Sequence, residues 1–420
     1  MKKVYRNLAV IILAAGEGTR MKSDVPKVLH PVCARPMLEY VMDLVRDLRI
    51  KKVIAVLGHK HAEVRKFLRP RIKVAIQRKL LGTADAVKAA LPLLKNFKGT
   101  VLILYADNPL LKKHSIEKLL EYHLKEKPDA TVLYAQVLRP AGYGRILRDK
   151  FSSVQAIIEE KDADDFQKSI KEINTGIMCF DKDKLAKVIS RIRPNNRKKE
   201  YYLTDAIAII HKDGGFVDSV KLANIEEALG INSSKDLVRA NRIMRNRINA
   251  EWIKRGVNII SPENTFIDYG VEIASGVTIY PFTVIERDVK IGKRCSIGPF
   301  AHLRTGTILE DEVVVGNFLE IVRSKISHRC LIKHFGYIGD SRIGQEVNIG
   351  AGAVTANFDG QKKHATVIKD KAFIGSDTVL VAPVKIGKAA RTGAGSVVLK
   401  NNNVAERQTV AGVPAKRIKD

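Results

Sequence analysis

From Ile267 to Ile321 an aliphatic residue stands at every sixth position without a miss: Ile267, Ile273, Ile279, Ile285, Ile291, Ile297, Leu303, Leu309, Val315, Ile321. After short frame shifts the beat returns at Ile326, Ile332, Ile338, at Ile343 and Ile349, and at Ile368, Ile374, Leu380, Ile386. Glycine often comes directly after it, as in Ile291-Gly292, Ile349-Gly350 and Ile374-Gly375. A helix cannot use this spacing, because six residues turn through roughly 600° and the apolar stripe would wander around the cylinder. Short strands that turn a corner every six residues stack all these side chains inward, and small residues suit the corners. The pattern predicts a hexapeptide-repeat parallel β-helix of about eight coils, three hexads to a coil.

The first 230 or so residues carry a different rhythm, in which apolar strands alternate with helical patterns. Strands are predicted at Val10–Ala14, Val53–Leu57, Val101–Tyr105 and Ala130–Val137, with helices at Met37–Leu48, Thr83–Leu94 and Ile116–Leu124. That alternation implies a mostly parallel sheet covered on both faces, with ligands at the carboxyl ends of its strands. A polar, arginine-rich helix from about Lys235 to Ile253 joins the two halves and carries the only tryptophan, Trp252, read as a packing residue.

With 420 residues there is room for two or three domains. No apolar run approaches the roughly 20 residues that span a bilayer, so no membrane partner is expected. Lys2, Lys3 and Arg6 before the run Leu8 to Ala15 imitate a signal peptide, but the run continues into Gly16-Glu17-Gly18-Thr19-Arg20. That continuation reads better as a buried strand opening onto a phosphate loop. Cys33, Cys179, Cys295 and Cys330 show no CxxC pairing, which favours a reducing cytosol over a disulfide framework or a zinc site. The net charge of +28 is spread over both halves and reads as a general lysine bias. Weak attraction to polyanions would result, yet with aromatics at 6% and no base-stacking motif no specific nucleic-acid partner is expected.

The loop after the first strand, Leu13-Ala14-Ala15-Gly16-Glu17-Gly18-Thr19-Arg20-Met21, lets backbone N–H groups approach phosphates, with Arg20 adding delocalised charge. It is neither a Walker A loop nor a dinucleotide fingerprint, and a lone glycine pair would say little. Its weight comes from the motifs downstream: Pro26-Lys27-Val28-Leu29, Gln77, Leu81-Gly82-Thr83, Tyr105-Ala106-Asp107, Tyr143-Gly144-Arg145, Glu159, Ile173-Asn174-Thr175-Gly176 and Gly230-Ile231-Asn232. Within the β-helix, His334 stands in Ile332-Lys333-His334-Phe335-Gly336-Tyr337-Ile338-Gly339-Asp340, ahead of Asn348-Ile349-Gly350-Ala351-Gly352 and Asn357-Phe358-Asp359-Gly360. Singly, Asp107 reads also as a loop cap and His334 as a coil-surface residue.

In that order and spacing the chain resembles, along nearly its whole length, the bacterial bifunctional enzymes of UDP-N-acetylglucosamine synthesis. Those join an N-acetylglucosamine-1-phosphate uridylyltransferase to a glucosamine-1-phosphate N-acetyltransferase. The resemblance implies an α/β chain with a Rossmann-like nucleotidyltransferase domain at 1–234, a linker helix at 235–255 and a left-handed hexapeptide-repeat β-helix at 256–420. It implies that Leu13, Ala14, Ala15, Gly16, Gln77, Gly82 and Thr83 hold uracil and ribose, and that Arg20 and Lys27 neutralise the triphosphate. By the same resemblance Tyr105 and Ala106 are expected in that nucleotide pocket. Gly144, Glu159 and Asn174 are expected to hold the sugar, and Asp107 with Asn232 to bind Mg²⁺. Nucleotidyl transfer asks mainly for positioning and charge neutralisation, so one carboxylate and two cations suffice without a protein nucleophile.

In the second half the resemblance makes His334 the general base that frees the sugar amine to attack acetyl-coenzyme A, a task suited to imidazole. Arg304 would grip the sugar phosphate, with Tyr337 and Asn348 orienting the acceptor. Ala351, Asn357, Phe358, Ser376 and Ala394 would line the acetyl-coenzyme A groove between coils of neighbouring subunits in a homotrimer. The sequence departs from the family at four places. Ala106 replaces glycine, Val322 replaces a lysine that helps bind the acceptor, Phe358 replaces tyrosine, and the longer tail with its arginine contact is missing. Arg323 beside Val322 is no simple substitute, because adjacent strand residues face opposite sides. There are two rivals. In one, the β-helix acetylates another amino sugar or only trimerises the chain. In the other, the chain is a non-catalytic assembly protein of the same architecture, against which the joint retention of Arg20, Lys27, Asp107 and His334 argues.

Overall fold

The computed structural model describes Tyr5 and residues 7–418. Lys2, Lys3 and Arg6, the basic residues of the signal-peptide-like pattern, lie outside the described residues. No helix among the described residues is long and apolar enough to cross a membrane. The chain divides into two compact units, residues 1–241 and 242–420. The division falls inside the long helix Ser234–Lys254, which begins in the first unit and ends in the second.

In the first unit the all-buried strand Leu8–Ala14 runs parallel to Lys52–Leu57 on one side and Thr100–Tyr105 on the other. Lys73–Ile76 extends the sheet parallel beyond Lys52–Leu57. Glu172–Asp181 interrupts the parallel order, pairing antiparallel with both Thr100–Tyr105 and Ala130–Gln136. Val217–Lys221 closes that edge, parallel to Ala130–Gln136. Strands buried on both faces read as continuous apolar runs, which is why LAVIILA and TVLILY are so uniform. Helix Met37–Asp47 covers one face with Leu38, Val41, Met42 and Val45, positions spaced for one side of a helix. Helix Thr83–Ala90 covers the other with Ala84, Val87 and Ala90. The helical pattern predicted to reach Leu94 ends as α-helix at Ala90 and continues as a 3₁₀ turn, Leu91–Leu94. Pro92 has no N–H to donate there.

The second unit is a left-handed parallel β-helix. Two- to four-residue strands stack into three long sheets, with Ile279 beside Ile297, Ile285 beside Leu303 and Ile291 beside Leu309. The hexad side chains form one continuous core from Val257 to Ala415, on which Ile248 and Trp252 of the long helix also pack. The corners carry residues in the left-handed backbone region six apart, at Phe282, Asp288, Arg294 and Phe300 (φ 60°, 62°, 56° and 55°). One corner column is aromatic. Phe282 stacks on Phe300 and Phe300 on Phe318, each pair with ring centroids 4.9 Å apart. Two coils after Phe318 the same corner carries Ala351, then Ser376 and Ala394, each one residue ahead of the position the aromatics take, with Asp377 N bonded to Ala351 O at 2.7 Å and Gly395 N to Ser376 O at 2.8 Å.

Candidate active sites

At the carboxyl ends of the parallel strands of the first unit, three parts of the sequence converge on one cation. The Lys27 ammonium donates to Asp107 Oδ2 and, at 2.7 Å, to Asn232 Oδ1. Each partner is held from elsewhere. Gly18 lies directly on the Lys27 stem, since a Cβ at Gly18 would stand 2.6 Å from Lys27 Cβ. Asp107 comes just after the strand Thr100–Tyr105, and its carbonyl accepts Ile231 N at 3.0 Å, which ties down the 230–232 loop. Asn232 N donates to Asp236 at 3.1 Å, and Asp236 also accepts the Ser233 hydroxyl at 2.7 Å at the start of the long helix. Two hard oxygens, one ionised, thus point at a spot already occupied by a cation. Such a pair suits Mg²⁺, which takes one or two protein oxygens and keeps water and phosphate oxygens for the rest. Among the described residues there is no group of three or more His, Cys, Asp or Glu placed to hold a metal.

Leu13, Ala14 and Ala15 are buried at the end of the first strand, whereas Gly16 and Arg20 are exposed in the loop beyond. Ala106 is fully buried, its N–H bonded to Leu13 O at 3.0 Å, and it belongs to the core cluster that includes Ala14 and Val28. Gln77 comes just after the strand Lys73–Ile76, with its N–H on Leu57 O at 2.8 Å. It lines a cavity of about 400 Å³ together with Glu17, Gly58 and His59. Gly82 must be glycine: its φ is 122°, and a Cβ would lie 2.5 Å from Tyr201 O. Thr83 accepts Leu203 N at 2.9 Å and hydrogen-bonds Tyr105. Burial, then Glu159 and Asp107, push the Tyr105 phenol up, so the ring stays neutral.

The residues expected to hold the sugar also come together. Asn174 N bonds Gly144 O at 2.8 Å, and a Cβ on Gly144 would meet both Glu159 carboxylate oxygens at 3.5 Å. Burial pushes the Glu159 carboxyl up although Thr204 donates to it at 3.2 Å. Gly176 packs against the Tyr105 ring, at a bulge where Glu172–Asp181 shifts register. Sequence reasoning missed Thr204 and the neighbouring Asp205, whose carboxyl is raised to about 6 by burial, then by Glu159 and Asp162. The polar pair Thr204-Asp205 at the start of helix Asp205–Lys212 was the available signal, and it reads equally as a cap.

In the β-helix, His302, Glu320, Tyr337 and Val354 stand in register on the outer face of one sheet. Arg304 Nη1 donates to Glu320 at 2.6 Å, and its Nε lies 3.7 Å from Glu286, which also faces His302 at 3.0 Å. His334 and Phe335 are exposed at the corner after Ile332. A Cβ on Gly316 would stand 1.8 Å from Lys333 O, so that glycine lets the His334 coil pass. Asn357 Nδ2 reaches Tyr337 Oη at 3.4 Å and also bonds Asp340. Val322 is buried beside Gly339. Arg323 is engaged bidentately by Asp340 at 2.6 and 2.7 Å, which holds the Asp340 carboxyl down. The Arg323 charge is therefore committed elsewhere. Asn348 is half-buried on the adjoining sheet, Phe358 is exposed, and Ala351, Ser376 and Ala394 form the small-residue corner column.

Residues 10–173 match the MobA-like NTP transferase domain family, and residues 270–304 match the bacterial transferase hexapeptide (six repeats) family. The chain is 41% identical over 421 residues to the bifunctional protein GlmU of Geobacillus sp. (strain WCH70), covering 92% of each chain. It is 42% identical to that of Heliobacterium modesticaldum, with 93% of each covered, and 39% identical to that of Desulfitobacterium hafniense (strain DSM 10664 / DCB-2), with 94% of each covered. On identity and coverage over both units, the chain belongs to the bifunctional GlmU family.

Proposed function

We propose that the chain makes UDP-N-acetylglucosamine in two transfers, one per unit. In the second unit the amine of glucosamine 1-phosphate attacks the thioester carbonyl of acetyl-coenzyme A. A C–N bond forms, the C–S bond breaks, and the thiolate leaves as coenzyme A. His334 takes the amine proton. In the first unit a phosphate oxygen of N-acetylglucosamine 1-phosphate attacks the α-phosphorus of UTP in line, and pyrophosphate leaves. Arg20 and Lys27 hold the triphosphate, Asp107 and Asn232 hold Mg²⁺, and Gly144, Glu159 and Asn174 hold the sugar. Bound Mg²⁺ supplies charge neutralisation on the phosphate oxygens. The observation that carries this reading is the convergence of Lys27, Asp107 and Asn232 on one cation position.

Arg304 takes the acceptor phosphate. Its present partners are side chains 31% and 37% exposed, and an exposed pair is worth only about 0–1 kcal/mol, so a phosphate can displace them. With Val322 buried and Arg323 tied to Asp340, Arg304 carries that recognition without the lysine. The same two facts favour one second reading, in which the β-helix acetylates a different amino sugar. We further propose a homotrimer that completes the acetyl-coenzyme A groove along the Ala351, Ser376 and Ala394 corner, and a cytoplasmic location, where four buried thiols remain reduced. The test combines purified protein with UTP, Mg²⁺, acetyl-coenzyme A and glucosamine 1-phosphate or its N-acetyl form, with products identified by mass spectrometry. UDP-N-acetylglucosamine from both acceptors is expected. Formation from the N-acetyl form alone moves the second reading to first place, and no pyrophosphate at all ends the uridylyltransferase assignment. Sedimentation equilibrium returning a monomer at micromolar concentration would remove the shared groove.

A further inference from the structure

The Gln77 side-chain amide is locked in one orientation by an aspartate two residues beyond Thr83. Gln77 Nε2 donates to Gly82 O at 3.0 Å and to Asp85 Oδ2 at 2.8 Å. A primary amide has two N–H groups, and both are used. Turning the amide over would set its oxygen against a carbonyl and a carboxylate, two acceptors with nothing to donate. The described residues place no donor on Gln77 Oε1, so that atom is the one hydrogen-bonding capacity the side chain keeps while it lines the cavity beside the phosphate loop. Asp85 stands half-buried in the first turn of helix Thr83–Ala90, where a carboxylate also complements the helix dipole.

We infer that Asp85 is a positioning residue that fixes base specificity: by holding the Gln77 amide with its oxygen as the only free group, it selects a pyrimidine that donates at N3, uracil, over cytosine, whose N3 carries a lone pair. The inference rests on the uridylyltransferase reading only for the identity of the site. A carboxylate at position 85 can only accept. An amide there can donate to Gln77 Oε1, turn the Gln77 amide over and present N–H to the base instead.

The test measures UTP and CTP side by side, by pyrophosphate release and by calorimetric binding, which needs no turnover. Wild type should favour UTP by about a hundredfold or more, the range expected when a buried polar group loses its partner. Asp85→Asn should narrow that ratio at least about tenfold, mainly through KM for UTP, while Asp85→Glu, still acceptor-only, keeps most of it. Should Asp85→Asn not fold, Asp85→Ala must narrow the ratio in its place. Equal losses for both nucleotides would reduce Asp85 to support of its helix, and a wild type indifferent to the base would overturn the inference even with full turnover. A wild type that binds UTP over CTP yet releases no pyrophosphate would instead sink the uridylyltransferase reading and leave this one standing.

Discussion

In the metal site proposed at Asp107 and Asn232, Lys27 holds the place that a divalent cation would take, and removing it should tighten metal binding. The pair is enclosed, with the Lys27 side chain 11% exposed and that of Asp107 17% exposed, so solvent screens it little. A hydrogen bond to a charged group contributes about 1.5–3 kcal/mol, and a metal entering between Asp107 and Asn232 must first break two of them. Part of that cost returns when the lysine swings out to water, which leaves about one to two decades in affinity. Lys27→Met keeps the apolar stem against Gly18 and removes only the charge. Without nucleotide, Mn²⁺ monitored by electron paramagnetic resonance should bind the variant at least about tenfold more tightly than wild type. Uridylyl transfer by the same variant should fall by about a hundredfold or more, because a cation on the triphosphate is lost. Tighter metal with slower turnover is a combination that simple damage to the fold does not produce. Equal or weaker Mn²⁺ binding by Lys27→Met would refute the competition, and unchanged binding by Asp107→Ala would remove the metal site altogether.

Val322→Lys should lower the acceptor KM of acetyl transfer about tenfold at nearly constant kcat, the mark of restored uniform binding, and His334→Ala should abolish turnover in either background; an unchanged KM would show that Arg304 alone suffices. Asp205 has a folded carboxyl raised to about 6, so the native state holds its proton longer than the unfolded chain and stability falls as pH rises from about 4 to 6. With the shift discounted because solvent screens a partly exposed carboxyl, Asp205→Asn should therefore gain about 1–2 kcal/mol at pH 7 and little at pH 3 in denaturant unfolding, and an equal gain at both would assign it to packing. Ala34 sits at φ 59° in the two-residue turn between Pro31–Val32 and Arg35–Pro36, so Ala34→Gly should raise stability by about 1 kcal/mol, read as a higher thermal midpoint of the first unit; a lower midpoint would show that the turn carries no strain.

The β-helix was legible because its period is a single-residue signal repeated along much of the second unit, and each beat from Ile267 to Ile321 lies in the core. The parallel strands of the first unit were legible for the same reason, as unbroken apolar runs. Glu172–Asp181 was not, since a buried strand looks the same whichever way it runs. Its neighbour is chosen by a crossover that no local pattern records. The roles expected of Lys27, Asp107 and Asn232 were implied by the family resemblance, but their meeting at one cation position depends on loops 80 and 205 residues apart. The residues that reading left out, Asp85, Thr204, Glu286 and Glu320, all act on a neighbour's side chain. In sequence each is an ordinary helix-start or coil-surface residue. The partners of Arg304 stand 16 and 18 residues away, one coil to either side, so the hexad period contained them once the coils were stacked.

The corner that carries stacked Phe282, Phe300 and Phe318 and then Ala351, Ser376 and Ala394 has an evolutionary corollary. Each coil is a self-similar slab about 4.8 Å thick. Loss or duplication of one whole coil ahead of Glu286, at the start of the aromatic stretch, would change the length of the rod while Arg304 and the surroundings of His334 kept their neighbours. The same event among the later coils would instead shift the small-residue furrow relative to His334. Length and chemistry are thus inherited on separate segments of one repeat array, and lineages of this architecture can vary the first without disturbing the second.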